Sequence, residues 1–225
     1  MEYLIALRQA LETKANDDNA IKMSKYMRNQ FDFYGIKSPE RTEILKQFLQ
    51  EKGLPNTQNL SKILQEMWEQ PQREWQYCAL DIFQKVIKKS KNDFLELAEN
   101  LILQKSWWDS VDIIAPSIIG EMLLYLPEKV ENITEKWALS DNFWLNRTAI
   151  IFQLHYKNKT NTDLLTKYIK INSKSEQFFI RKAIGWALRQ YARVDKEFVK
   201  NFIKNNDDLS NLSKREALKH IGKEN

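Results

Sequence analysis

Apolar residues recur at steps of three and four along almost the whole chain, and no run of strict apolar and polar alternation competes with them. The pattern predicts a succession of amphipathic helices joined by short polar loops. "MEYLIALRQALETK" reads as a first helix. In "SPERTEILKQFLQEKG", Ser38 is a natural N-cap, Pro39 suits the first helical position and Gly53 terminates the element. Further helices are predicted at 57–69, 71–89, 92–104, 107–125, 128–139, 142–157, 161–171, 175–193, 195–205 and 213–221.

Every second helix overlays the next at a shift of about 35 residues, with Ala79, Ile114, Ala149 and Ala183 in register. A period of that length filled by a helix pair predicts an all-α fold, an α-solenoid of HEAT or armadillo-like repeats running as one domain over 1–225. Two residues before those four positions stand Tyr77, Asp112, Arg147 and Arg181. Equivalent positions of stacked repeats form a ladder, so an aromatic ring, an acid and two arginines are expected along one concave basic groove, a surface suited to a rod-shaped polyanion.

Composition narrows the choice. With only 5 Gly and 5 Pro in 225 residues, sandwiches, barrels and nucleotide-binding α/β folds lack the turn residues they need. One cysteine, Cys78, rules out an internal disulfide framework and a cysteine zinc cluster, and two histidines, His155 and His220, make metal catalysis a poor expectation. The N-terminal segment lacks the apolar core of a signal peptide and no run is long enough to span a bilayer, so the cytoplasm is the expected compartment; the expected state is a monomer. Residues 1–139 carry 18 Lys+Arg against 21 Asp+Glu, whereas residues 140–225 carry 17 against 9. The net charge of +5 is therefore a regional excess in the C-terminal part, which favours a polyanionic partner.

Three helices carry candidate chemistry. In "FIRKAIGWALRQYAR" the stripe Ile180, Ile184, Ala187 and Tyr191 faces the core, and Lys182, Trp186, Arg189 and Arg193 lie opposite. Trp186 either covers a neighbouring helix or stacks against a ligand held by the flanking cations. In the helix from Asn142, Arg147 stands among Phe143, Trp144, Ile150 and Ile151 and needs a buried acid, a route to water or a ligand phosphate. In the helix opened by "SWWDSVD", Trp107, Val111, Ile114, Ile118 and Met122 form a buried stripe and leave Trp108 and Asp112, one turn apart, at its edge. Pro116 removes the N–H that the Asp112 carbonyl would accept and should kink the helix there.

Together, "YMRNQFDFYGIKSPER", "SWWDSVD", "NFWLNRTAIIFQ" and "FIRKAIGWALRQYAR" resemble, in order and spacing and over nearly the whole chain, the DNA alkylation repair family, the AlkD-like DNA glycosylases built from HEAT-like repeats. The resemblance implies excision of cationic alkylated purines, 3-methyladenine and 7-methylguanine, from duplex DNA, without metal or cofactor and without extrusion of the base. It places Asp112, Trp108, Trp186 and Arg147 in the catalytic set, and Tyr26, Lys37, Arg147, Lys182, Arg189 and Arg193 against DNA. Lys37 departs from the pattern, standing where a polar residue able to touch the opposing strand is expected. The competing expectation is a non-catalytic HEAT-repeat scaffold for DNA structure or for another protein.

Overall fold

The computed structural model describes residues 2–219, and His220 lies outside them. The described residues are helical with short connections, and their one bridge pairs Asp32 with Gln72. The chain divides into two compact units, Met1–Asn92 and Asp93–Asn225.

The first unit holds α1 (Glu2–Thr13), α2 (Asp17–Tyr26), α3 (Ser38–Lys52), α4 (Thr57–Glu69) and α5 (Arg73–Ser90). Helix α2 escapes sequence reasoning because it has no buried residue and hence no apolar stripe, although Asn16 caps it by accepting the Asn19 N–H. Lys37, not Ser38, is the N-cap of α3, which leaves Ser38 as the first helical residue and ends at Gly53 with a φ of 74°. The connection from α2 to α3 is fixed by Glu74 of α5, whose carboxylate accepts the N–H groups of Tyr34, Gly35 and Ile36 at 3.0, 2.9 and 3.1 Å. Burial pushes the Glu74 carboxyl up from its ordinary value, and the backbone N–H groups pull against that rise. Gly35 has a φ of 85°, and a Cβ there would come within 2.0 Å of the Asn16 carbonyl oxygen. Gly35→Ala is therefore expected to destabilise the unit by more than ~1 kcal/mol, read as a lowered urea midpoint.

The second unit begins with α6 (Leu95–Leu103) and α7 (Trp108–Ile113). A π-helical segment, Ile114–Ile119, leads on into α8 (Gly120–Tyr125). A 3-10 turn (Pro127–Lys129) precedes α9 (Val130–Ala138) and α10 (Phe143–Ile151), and a second (Lys157–Lys159) precedes α11 (Thr162–Asn172). The unit closes with α12 (Phe178–Tyr191), α13 (Lys196–Lys204) and α14 (Asn211–Leu218). Helix α10 is shorter than the predicted 142–157 because residues 152–155 leave the helix as turns.

The repeat is visible in side-chain roles. Ala79, Ile114, Ala149 and Ala183 are all at most 1% exposed. The first helix of a pair ends with unsatisfied carbonyls, and the second helix supplies an amide to meet them. Gln76 of α5 donates to the carbonyls of Met67, Trp68 and Gln70 at the end of α4. Asn146 of α10, two repeat periods further on, donates to Trp137, Ala138 and Ser140 at the end of α9. The fold is thus an all-α array of helical repeats, as the 35-residue period predicts.

Candidate active site

Three helices of the second unit, α7, α10 and α12, carry the residues of interest; Asp112 and Arg147 stand at equivalent places in their repeats, and Trp186 lies three residues after Ala183, the in-register residue of α12. Trp107 is the extended N-cap of α7 and lies outside the predicted buried stripe, whereas Val111, Ile114, Ile118 and Met122 are fully buried. Trp108 opens the helix and Asp112 follows one turn later; both are half-buried. The helix absorbs Pro116 by widening to π geometry over Ile114–Ile119, where the Gly120 N–H bonds to the Ala115 carbonyl five residues back. Asp112 thus sits in the last α-helical turn before that change.

Arg147 answers the acid from α10. Its Nε donates to Asp112 Oδ1 at 2.7 Å and its Nη2 to Oδ2 at 2.8 Å, a two-point pair, while Nη1 donates to the backbone carbonyl of Phe179. The arginine side chain is 5% exposed and the aspartate 20%, so the pair is buried on the arginine side and open on the carboxylate side. Burial pushes the Asp112 carboxyl above its ordinary value; the Arg147 hydrogen bonds and charge pull it down, and Asp109 nearby adds to the rise. Trp186 of α12 places its ring 6.0 Å from the Arg147 guanidinium, so three of the four expected residues converge by direct contact.

What holds these helices in register is an aromatic cluster that sequence reasoning does not identify. The Phe179 ring lies 5.4 Å from Trp107, 4.9 Å from Trp144 and 6.3 Å from Phe143. Each of these residues stands at or beside the start of α7, α10 or α12, so the cluster ties together the starts of the helices that carry Asp112, Arg147 and Trp186. The signal in the sequence is the recurrence of adjacent aromatics, "WW", "FW" and "FF", ahead of each functional residue.

The cations on α12 and in the turn after it, where Arg193 stands, divide. Lys182 and Arg189 both pair with Glu216 of α14, at 3.0 and 2.7 Å, and hydrogen bonding from Lys182 holds the Glu216 carboxyl below its usual value. The face predicted to be open and basic is therefore partly covered, and at close range. A Cβ on Gly185 would meet the Glu216 Cβ at 2.5 Å and the Ser213 carbonyl oxygen at 2.8 Å. No local spacing reveals Glu216, which lies 27 residues beyond Arg189. Arg193 is exposed and has no carboxylate partner among the described residues. Arg181 donates to the Ser175 carbonyl at 2.9 Å, and Ser213 to the Arg181 carbonyl at the same distance, which ties this rung of the predicted ladder to structure.

In the first unit, Tyr26 is 72% exposed at the end of α2, and it lines with Lys22, Lys37 and Tyr77 a cavity of about 300 Å³. Tyr77 also faces Arg41, whose guanidinium stands 4.6 Å from its ring.

Residues 7–221 match a family described as DNA alkylation repair enzyme. The chain belongs to that family. A solved structure of a predicted DNA alkylation repair enzyme from Enterococcus faecalis superposes with a TM-score of 0.84 at 35% identity, covering 93% of this chain and 98% of that one. No curated protein matches the chain. Among the described residues, no helix is long and apolar enough to cross a membrane and no group of three or more His, Cys, Asp or Glu side chains could hold a metal ion. For a DNA alkylation repair family member, the site offers a carboxylate with one protected and one open side, an arginine that orients it and an indole beside them.

Proposed function

We propose that the chain is a DNA glycosylase that releases cationic alkylated purines, 3-methyladenine and 7-methylguanine, from duplex DNA without drawing the base into a pocket. The observation that carries this reading is the Asp112–Arg147 pair, with Trp186 against it, on a family member of repair enzymes.

A purine alkylated at N3 or N7 is already positively charged and departs as a neutral base, so no general acid is required. The deoxyribose left behind develops oxocarbenium character, and a carboxylate held close to it stabilises that charge and orients the attacking water. Asp112 suits this role because two oriented hydrogen bonds fix its position before the reaction begins, and its partial burial strengthens its field. Trp186, and Trp108 one turn before Asp112, can pack against the C–H edges of the sugar and exclude bulk water. Arg147 uses three of its five N–H groups within the protein, so its main role is to orient Asp112, and the remaining two are available to an adjacent phosphate.

The same reading makes alkylated duplex DNA the substrate of a monomer, gripped by Arg193, by Lys182 and Arg189 only to the extent that Glu216 releases them, and, from the first unit, by Tyr26 and Lys37. Affinity for duplex DNA is then expected to fall steeply between ~50 and 200 mM salt. Because Glu216 occupies Lys182 and Arg189, Glu216→Gln is expected to tighten binding and steepen the salt slope by up to ~2. A flat salt profile in the wild type would favour a protein-binding scaffold, and an unchanged slope in the variant would leave Lys182 and Arg189 as purely structural.

A further inference from the structure

Helix α12 ends at Tyr191, two residues short of the predicted 193, so Arg193 stands in the turn that follows it, and it lies at the edge of a cavity. The cavity measures about 190 Å³ between the ends of α10 and α12. Its floor is apolar, formed by Ile150, Leu154, Leu165 and Ala187. Tyr191 forms one wall and is itself held by Phe198 of α13, ring to ring at 5.4 Å and nearly perpendicular. Lys157 and Arg193 supply the charge; neither has a carboxylate partner among the described residues, and no acid lines the cavity. An apolar hollow with two uncompensated cations is built for an anion that carries a small apolar body.

Size and position narrow the ligand. The volume lies below the ~300–1,000 Å³ of ordinary ligand pockets, which suits a small group such as one sugar-phosphate unit. Ile150 follows Arg147 by three residues and Gln190 follows Trp186 by four, so the cavity lies about one helical turn beyond the Asp112 site on the same two helices. One turn is ~5.4 Å, which corresponds to roughly one or two nucleotide steps of ~3.4 Å along a strand.

We propose that this cavity is a backbone subsite for one sugar-phosphate unit flanking the target nucleotide, with the phosphate on Lys157 and Arg193 and the deoxyribose on the apolar floor. The inference rests on the reading of the chain as a protein that acts on DNA and adds a defined second contact point to it. It explains how a strand could be held in register at Asp112 while the α12 cations nearer to Trp186 are engaged elsewhere.

The test is the salt dependence of duplex DNA binding by the wild type, by Lys157→Ala/Arg193→Ala and by Lys182→Ala/Arg189→Ala, with thermal midpoints as folding controls. The first double variant is expected to keep its midpoint, bind at least tenfold more weakly at low salt and lose ~0.9, the equivalent of one phosphate contact, from the slope of log affinity against log salt. The second is expected to change the slope much less. A methylphosphonate placed in turn at each phosphate flanking an abasic-site analogue should weaken wild-type binding at one or two positions to which the Lys157/Arg193 variant is indifferent. An unchanged slope in that variant, or a methylphosphonate profile identical to the wild type, would overturn the subsite. Base release is measured separately, so the subsite can fail while the glycosylase reading stands, and the reverse.

Discussion

Asp112→Asn is expected to abolish release of 7-methylguanine from methylated duplex DNA while leaving affinity for the DNA nearly unchanged. The substitution preserves shape and removes the charge that faces the developing oxocarbenium ion. Removal of a single preorganised electrostatic contact typically costs ~100- to 1,000-fold in rate, and here the contact is the principal catalytic group. Asp112 is bonded only through Arg147 among its described hydrogen-bond partners; the amide can keep one of the two bonds but leaves the buried arginine without its counter-charge, so the thermal midpoint should fall and activity and affinity are compared at a temperature where the variant is folded. Chromatography of the released bases and a parallel binding titration separate the two effects. Equal activity in both proteins would reject Asp112 as the catalytic carboxylate.

The second large effect is expected from Arg147→Ala. Breaking a buried ion pair by removing one partner typically costs ~3–5 kcal/mol, because the other charge stays in a poorly solvated place. The Arg147 side chain is 5% exposed and also holds the Phe179 carbonyl, so the variant should show a markedly lower thermal midpoint. Its activity should be lost for a distinct reason. Burial raises the Asp112 carboxyl and Arg147 lowers it, so loss of the arginine lets the carboxyl rise further. Base release requires the ionised form, and it is therefore lost as pH falls through the Asp112 value. The acid limb should lie above the ordinary aspartate range in the wild type and move to higher pH in Arg147→Lys, which retains a charge but not the two-point geometry. An acid limb that does not move would separate Arg147 from the ionisation of Asp112.

How far the sequence foretells these features depends on how local their causes are. The period of 35 is legible because each helix pair buries the same small residues, and Ala79, Ile114, Ala149 and Ala183 are buried as that period requires. Asp112 and Arg147 are one period apart, so their pairing follows from the repeat. Helix α2 is missed because it buries nothing. The π segment at Pro116 is missed because the helix widens where a kink is expected. The hardest feature to foresee is the role of Glu216. Its carboxylate reaches Lys182 and Arg189 only because Gly185 lets α14 approach α12 at backbone distance, a relation between remote segments that no periodicity encodes. The Trp107 to Phe179 cluster is intermediate: its aromatic doublets are plain to see, but the purpose they share appears only when the ends of three helices are brought together.

The most direct measurement is release of free base from N-methylated duplex DNA by the purified wild-type protein, resolved by chromatography and followed by quantitation of abasic sites in the same DNA. Free 3-methyladenine and 7-methylguanine are expected in amounts that match the abasic sites formed. DNA that is bound but keeps every methylated base, with no abasic sites above the uncatalysed background, would contradict it.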